Sequence, residues 1–335
     1  IAQCLVGSEM CIRDRYKMSI FKLDPAFKDY IWGGTRLRDE YGKKCDYDKV
    51  AESWELSCHK DGPSVVADGE YKGLTLNEYI EKAGKGVLGK NCERFENFPI
   101  LIKLIDAKDN LSVQVHPDND YAMRVEGEYG KTEMWYVVDC DEGATLLYGF
   151  KHEITKEEFA RRIADNTLLE VTNAVPVKKG DVFFIKSGTL HAIGKGILIA
   201  EIQQNSNTTY RIYDYGRVGK DGKPRELHVN KALDVTKLAP AEQYPETPVE
   251  KKDGYDIKLL SKCEYFTTYR VNVETKAELD ADENSFNSIL VLEGEPVISG
   301  GETVSAKKGE SVFISAGTGK YTVEGKCTFV LTKID

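Results

Sequence analysis

Residues 175–191, VPVKKGDVFFIKSGTLH, and residues 304–320, VSAKKGESVFISAGTGK, are two copies of one pattern. Lys178-Lys179-Gly180 stands over Lys307-Lys308-Gly309, an acidic residue follows each glycine, a short apolar run comes next, and Gly188-Thr189 stands over Gly317-Thr318. A turn-strand-turn unit repeated at one register implies two related β-domains in one chain. The last position differs. His191 in the first copy becomes Lys320 in the second, so whatever His191 does, the second domain has lost it.

Around the first copy lie ILIKLI (100–105), SVQVH (112–116), EMWYVV (133–138), TLLYGF (145–150), DVFFI (181–185) and ILIAEI (197–202). Short strands with glycine turns predict a sandwich or jelly roll. Two helices are expected where a capping-box signal precedes a helical pattern: Thr75 with Glu78 before LNEYIEKA, and Thr155 with Glu158 before EEFARRIADNTLLEV. Pro240, Pro245 and Pro248 lie among charges and block both helix continuation and central-strand pairing. Residues 239–256 therefore read as a linker between a domain over 18–238 and a strand-rich domain over 257–335. Residues 1–17 begin without Met, and their apolar stretch before Glu9 is too short for a secretory core. VGSEMCIRDR looks like a translated adaptor remnant, so 1–17 is expected to be a non-native extension.

The 335 residues, 41% hydrophobic and 30% charged, exceed the size at which one core keeps growing. No apolar run approaches the roughly 18 residues of a membrane span. The net charge is -9 with Lys and Arg dispersed, which repels a nucleic-acid backbone. Neither membrane nor nucleic acid is an expected partner, and an anionic ligand must meet a local basic pocket. Eight Cys are scattered without a CxxC pair, which reads as reduced thiols in the cytoplasm.

Only five His exist. Period-two alternation directs Ser112, Gln114 and His116 to one face of a strand and the valines between them to the other. Lys131, Glu133 and Trp135 share a face in the same way. The SVQVH pattern also fits a half-exposed edge strand whose polar face meets water. His191, however, follows a Ser187-Gly188-Thr189 turn after an apolar strand, where antiparallel barrels hold ligands at their mouths. Two His, a Glu and an amide oxygen can close around one divalent metal, a set compatible with zinc in an open catalytic geometry but not unique to it. Lys103 sits inside ILIKLI, where a charge is costly unless paired or solvated. On residue type alone Arg211 also reads as a surface Arg, Trp32 and Trp54 as structural aromatics, and His59, His152 and His228 as surface or packing residues.

AESWELS (51–57), SVQVHPD (112–118), GKTEMWYV (130–137), SGTLHAIG (187–194) and NTTYRIYDYGR (207–217) together resemble the type I mannose-6-phosphate isomerases, in their short bacterial form, in order from Met18 to Asp335. The resemblance implies a double jelly-roll (cupin-type) fold with a helical segment, and one Zn2+ held by Gln114, His116, Glu133 and His191. It implies interconversion of mannose 6-phosphate and fructose 6-phosphate through a cis-enediol. Arg211 would lie in the active site, Lys131 would move a proton or stabilise charge, and Ser112 and Lys103 would meet the phosphate. The base stays open between Lys131 and a metal-bound water or hydroxide. A sugar phosphate is the one expected partner of a monomer or weak homo-oligomer.

One departure is Asn207, where some longer members carry an Asp. It motivates an alternative, a non-catalytic sugar-phosphate-binding cupin; an iron oxygenase of cupin type is disfavoured by Gln114 and Lys131. The C-terminal domain is expected to bind no metal, because Lys320 replaces the His and Asn287-Ser288 lie about where a glutamate would be.

Overall fold

A computed structural model describes residues 19–219 and 222–335. The proposed extension, 1–17, lies outside the described residues. The chain forms two compact units, one gathering 19–26, Glu55–Pro99 and Thr247–Asp335, the other Phe27–Trp54 and Ile100–Glu246.

In the second of these, Val182–Ile185, Glu133–Cys140, Ile197–Gln204 and Ile100–Ala107 lie side by side in one sheet. Tyr210–Tyr213, Val113–Val115, His191–Ala192, Thr145–Phe150 and Thr172–Pro176 form another. The recorded pairings among these strands are antiparallel. Trp32, Ile105, Trp135, Val137, Leu146, Ile193 and Ile199 fill the apolar core of this unit. The helices Lys156–Ala164 and Val229–Val235 contribute Phe159 and Ala232 to a separate cluster with Val113, Val115 and Ile212. The valines of SVQVH thus pack against helices, and the polar residues between them turn the other way. This strand is not an edge: it lies between Tyr210–Tyr213 and His191–Ala192.

The other unit pairs an eight-stranded sheet with a four-stranded one, around Val271, Ile289, Val291, Ile298, Val323 and Phe329. Its helix Leu76–Ala83 carries the full capping box of Thr75 and Glu78, and its Tyr79 ring stands edge-on to Phe21 at 4.8 Å. The second expected helix is shorter than its pattern. It runs over Lys156–Ala164 and stops because Asn166 takes φ 61°, outside the right-handed region. Thr155 accepts the Glu158 N–H at 3.1 Å, but the Glu158 carboxylate engages Arg162 at 2.8 Å rather than closing a box.

Each unit is an antiparallel jelly-roll pair of sheets that does not close into a continuous barrel, and the sequence repeat is its shared building block. Gly180 (φ 92°) and Gly309 (φ 86°) make the turn, a conformation that favours glycine. The Gly180 N–H donates to Val137 O at 2.8 Å, and the Gly309 N–H to Val291 O at 2.7 Å. The carboxylates of Asp181 and Glu310 accept the N–H of Lys178 and Lys307 at 2.9 and 2.8 Å. Among the described residues no helix is long and apolar enough to cross a membrane.

Candidate active site

Three strands bring the expected ligands together. His191 lies opposite Gln114 in the ladder, Arg211 flanks Gln114 on its other side, and Glu133 comes from the other sheet. His116, Glu133 and His191 are at most 1% exposed, so the water-facing reading of SVQVH does not hold. The Nε2 atoms of His116 and His191 lie 3.2 Å apart. Glu133 Oε2 is 3.6 Å from His116 Nε2, Glu133 Oε1 is 3.4 Å from His191 Nε2, and the Gln114 amide is 3.4 Å from His191 Nε2.

The tautomers follow from the partners. His116 Nδ1 lies 2.9 Å from Thr208 O, and His191 Nδ1 lies 2.8 Å from Thr189 O. A carbonyl only accepts, so each Nδ1 carries the hydrogen and each Nε2 presents a lone pair. Two lone pairs and a carboxylate therefore converge in a buried space, and Glu133 Oε1 accepts no hydrogen bond there. Such an arrangement of acceptors is costly unless cations sit among them; the Lys131 ammonium meets Glu133 Oε2 and His116 Nε2 but leaves Glu133 Oε1 unpartnered, and backbone-anchored imidazoles are how metal-binding histidines are oriented. The residues fit a divalent metal. Among the described residues no other group of three His, Cys, Asp or Glu side chains closes in this way. Burial and the neighbouring Lys131 push His116 well below the ordinary histidine range, and burial pushes His191 down to about 4; both are neutral at pH 7. Burial and the Glu201 charge push the Glu133 carboxyl up.

Lys131 Nζ lies 2.9 Å from Glu133 Oε2, 3.2 Å from His116 Nε2 and 3.9 Å from Glu201. Lys103, expected at the phosphate, is buried with its Nζ 3.3 Å from Glu201 and 3.7 Å from Glu52, and it lies 5.0 Å from the centre of the Trp54 ring. Two carboxylates already balance its charge. Burial raises the Glu201 carboxyl, but Lys131, Lys103 and the Trp135 N–H outweigh it and hold Glu201 below its ordinary value; Trp135 Nε1 donates to it at 2.8 Å.

Glu201 was missed in the sequence, although a signal existed. ILIAEI carries a charge inside an apolar run just as ILIKLI does, and the two strands pair with Glu201 opposite Lys103. Glu52 and Arg225 were likewise not singled out. All three line a cavity of about 260 Å³ with Ser112, Gln114, Lys131, Lys103 and Arg211, a small-molecule space. Trp32 lines it as well. The glycines beside it permit that placement, since a Cβ on Gly34 would come 2.4 Å from Asp106 Oδ2. His228 is more than packing: the Arg211 N–H donates to its Nδ1 at 3.2 Å, and its own N–H donates to Arg211 O at 2.7 Å. His152 is exposed, and His59 Nδ1 accepts the Asp61 N–H in a turn.

Residues 20–143 match the catalytic domain of type I phosphomannose isomerases, and 256–334 match the cupin domain of mannose-6-phosphate isomerases. A mannose-6-phosphate isomerase of Bacillus subtilis is 39% identical over 92% of this chain and 97% of its own length. One from Streptococcus mutans is 40% identical over 85% and 88%. The crystal structure of a mannose 6-phosphate isomerase from Bacillus subtilis superposes with a TM-score of 0.88 at 38% identity, covering 94% of this chain and 99% of that one. A zinc-bound mannose 6-phosphate isomerase at 17% identity shares the fold, with a TM-score of 0.77.

Proposed function

Because the chain belongs to the type I mannose-6-phosphate isomerase family, we propose that its His116–Glu133–His191 pocket is the metal centre of a sugar-phosphate isomerase. The enzyme interconverts mannose 6-phosphate and fructose 6-phosphate. The observation that carries the metal assignment is the convergence of two imidazole lone pairs and a carboxylate. Gln114 completes a nitrogen and oxygen set that suits one Zn2+ per chain. A bound divalent ion would act as a Lewis acid toward the oxygens on C1 and C2.

The rest of the chemistry falls to side chains. We assign Glu201, held ionised by Lys103, Lys131 and Trp135, to take the proton from C2 of the aldose and return it to C1. Lys131 donates a proton to O1 as the enediol forms and recovers one from O2 as the ketone forms, so both proton movements balance. Arg211 stabilises the negative oxygen in between. Lys103 holds the two carboxylates in place, and Ser112 offers a hydroxyl to the substrate.

In this reading, catalysis belongs to 18–238, and 257–335 supplies no ligand. The enzyme works as a monomer or weak homo-oligomer. The six free cysteines of the described residues suit the cytoplasm. The test is turnover of mannose 6-phosphate with and without a chelator, followed by zinc add-back. Chelator-sensitive turnover restored by zinc is expected. Binding of the sugar phosphate by zinc-loaded protein without turnover would mean a binding protein instead.

A further inference from the structure

Two guanidinium groups, those of Arg217 and Arg225, meet on the Asp214 carboxylate, and Arg225 lines the cavity together with Arg211. The strand Tyr210–Tyr213 carries Arg211. After it, Tyr215 takes φ 57°, a left-handed conformation that is unfavourable for a non-glycine residue, and the turn it makes brings the Arg217 N–H to Asp214 O at 3.0 Å. Val218 then bridges to Pro224, which returns Arg225 to the same spot. Arg225 grips Asp214 with two donors, Nε to Oδ2 at 2.8 Å and Nη2 to Oδ1, and Arg217 Nη2 reaches Oδ1 as well. Asp214 is 6% exposed and held ionised: burial raises its carboxyl, and the bonds from Arg225 and Arg217 more than reverse that.

Arg211 has no share in this carboxylate. Its Nη1 donates to Glu226 O at 3.0 Å, while its Nε–H is buried without a partner. Arg211 and Arg225 both line the cavity. Two guanidiniums of like charge, one rigidly mounted and one with an unused buried donor, facing one space in a protein of net charge -9, form a site for an anion with several acceptor oxygens. Lys103 is unsuited to that task because Glu201 and Glu52 already flank it.

We propose that Arg225, mounted on Asp214, forms with Arg211 the clamp that takes the phosphate group of the sugar phosphate; the proposal rests on the isomerase reading above. Arg211 then serves both ends of the substrate, standing opposite Gln114 in the ladder and lining the same cavity as Arg225. Arg225 sets the preference for phosphorylated over free sugars.

The test compares wild type, Arg225→Gln, Arg225→Lys and Lys103→Met as zinc-loaded proteins of verified metal content. It measures kcat and KM for mannose 6-phosphate and for free mannose, and calorimetric affinity for inorganic phosphate. Arg225→Gln should raise KM for mannose 6-phosphate about 10- to 100-fold, with a smaller change in kcat, as expected for lost charge-assisted hydrogen bonds. The preference for mannose 6-phosphate over mannose and the affinity for phosphate should fall by a similar factor, with Arg225→Lys in between. Lys103→Met should impair both sugars alike. Equal losses for the two sugars in Arg225→Gln, or wild-type phosphate affinity in that variant, would overturn the clamp. If wild type turned over neither sugar, the isomerase reading would fail, and phosphate calorimetry would still decide the clamp.

Discussion

Glu133 and Asn287 pair with one and the same position of the two repeats: Glu133 lies opposite Ile185, and Asn287 lies opposite Ile314. The correspondence extends to the other ligand positions. His191 faces Gln114 as Lys320 faces Asp280, and the Gly188 N–H donates to His116 O as the Gly317 N–H donates to Asp282 O. The second copy has thus replaced both imidazoles and the carboxylate. Its Asn287 amide is used up on Asp280 O and the Tyr321 hydroxyl, each at 2.9 Å.

Metal analysis of purified protein should therefore give one divalent ion per chain. His116→Ala should lose it, and Lys320→Ala should keep it. Two ions per chain in wild type would contradict the equivalence.

Without metal, the protein should weaken in acid. Burial holds His191 neutral down to about 4 and pushes His116 the same way, against 6.5 for an ordinary histidine. Between those values the unfolded chain binds more protons, so stability falls as pH drops from 6.5 toward 4. Glu133 acts in the opposite sense, because its raised carboxyl keeps a proton in the folded state, but two histidines outweigh one carboxyl. Urea midpoints of chelator-treated protein at pH 7, 6 and 5 check this, and His191→Asn should flatten the slope. A profile that rises toward acid would refute it.

Glu201→Gln should retain metal and lower kcat by about 10²- to 10⁴-fold, the usual share of a positioned base. The amide oxygen can still accept the Trp135 N–H, so the fold should persist. Metal content, circular dichroism and kcat measured together decide the matter, and wild-type kcat would remove Glu201 from the proton path.

Gly34→Ala places a methyl group against the Asp106 carboxylate that accepts the Arg36 N–H at 2.9 Å. Overpacking of this kind costs about 1–3 kcal/mol. Thermal unfolding should shift down by several degrees, and KM should rise because Trp32 beside it lines the cavity. An unchanged Tm would show that Asp106 moves aside freely.

Much of the site was legible because strand periodicity is a local property. Once SVQVH and KTEMW are strands, Ser112, Gln114 and His116 must share one face, and Lys131 and Glu133 another, whatever the rest of the chain does. The repeat likewise showed that His191 has no counterpart in the second copy. Which strands face each other is not local. The pairing of Glu201 with Lys103, the return of Arg225 to Asp214, and the grouping of 55–99 with 247–335 join residues far apart in the chain. Nor did the sequence assign the lysines. Lys103 in an apolar run signalled a charge needing a partner, and only the packed structure supplied Glu201 and Glu52 as that partner, because a buried charge is stabilised by whatever opposite charge the fold brings within a few ångströms.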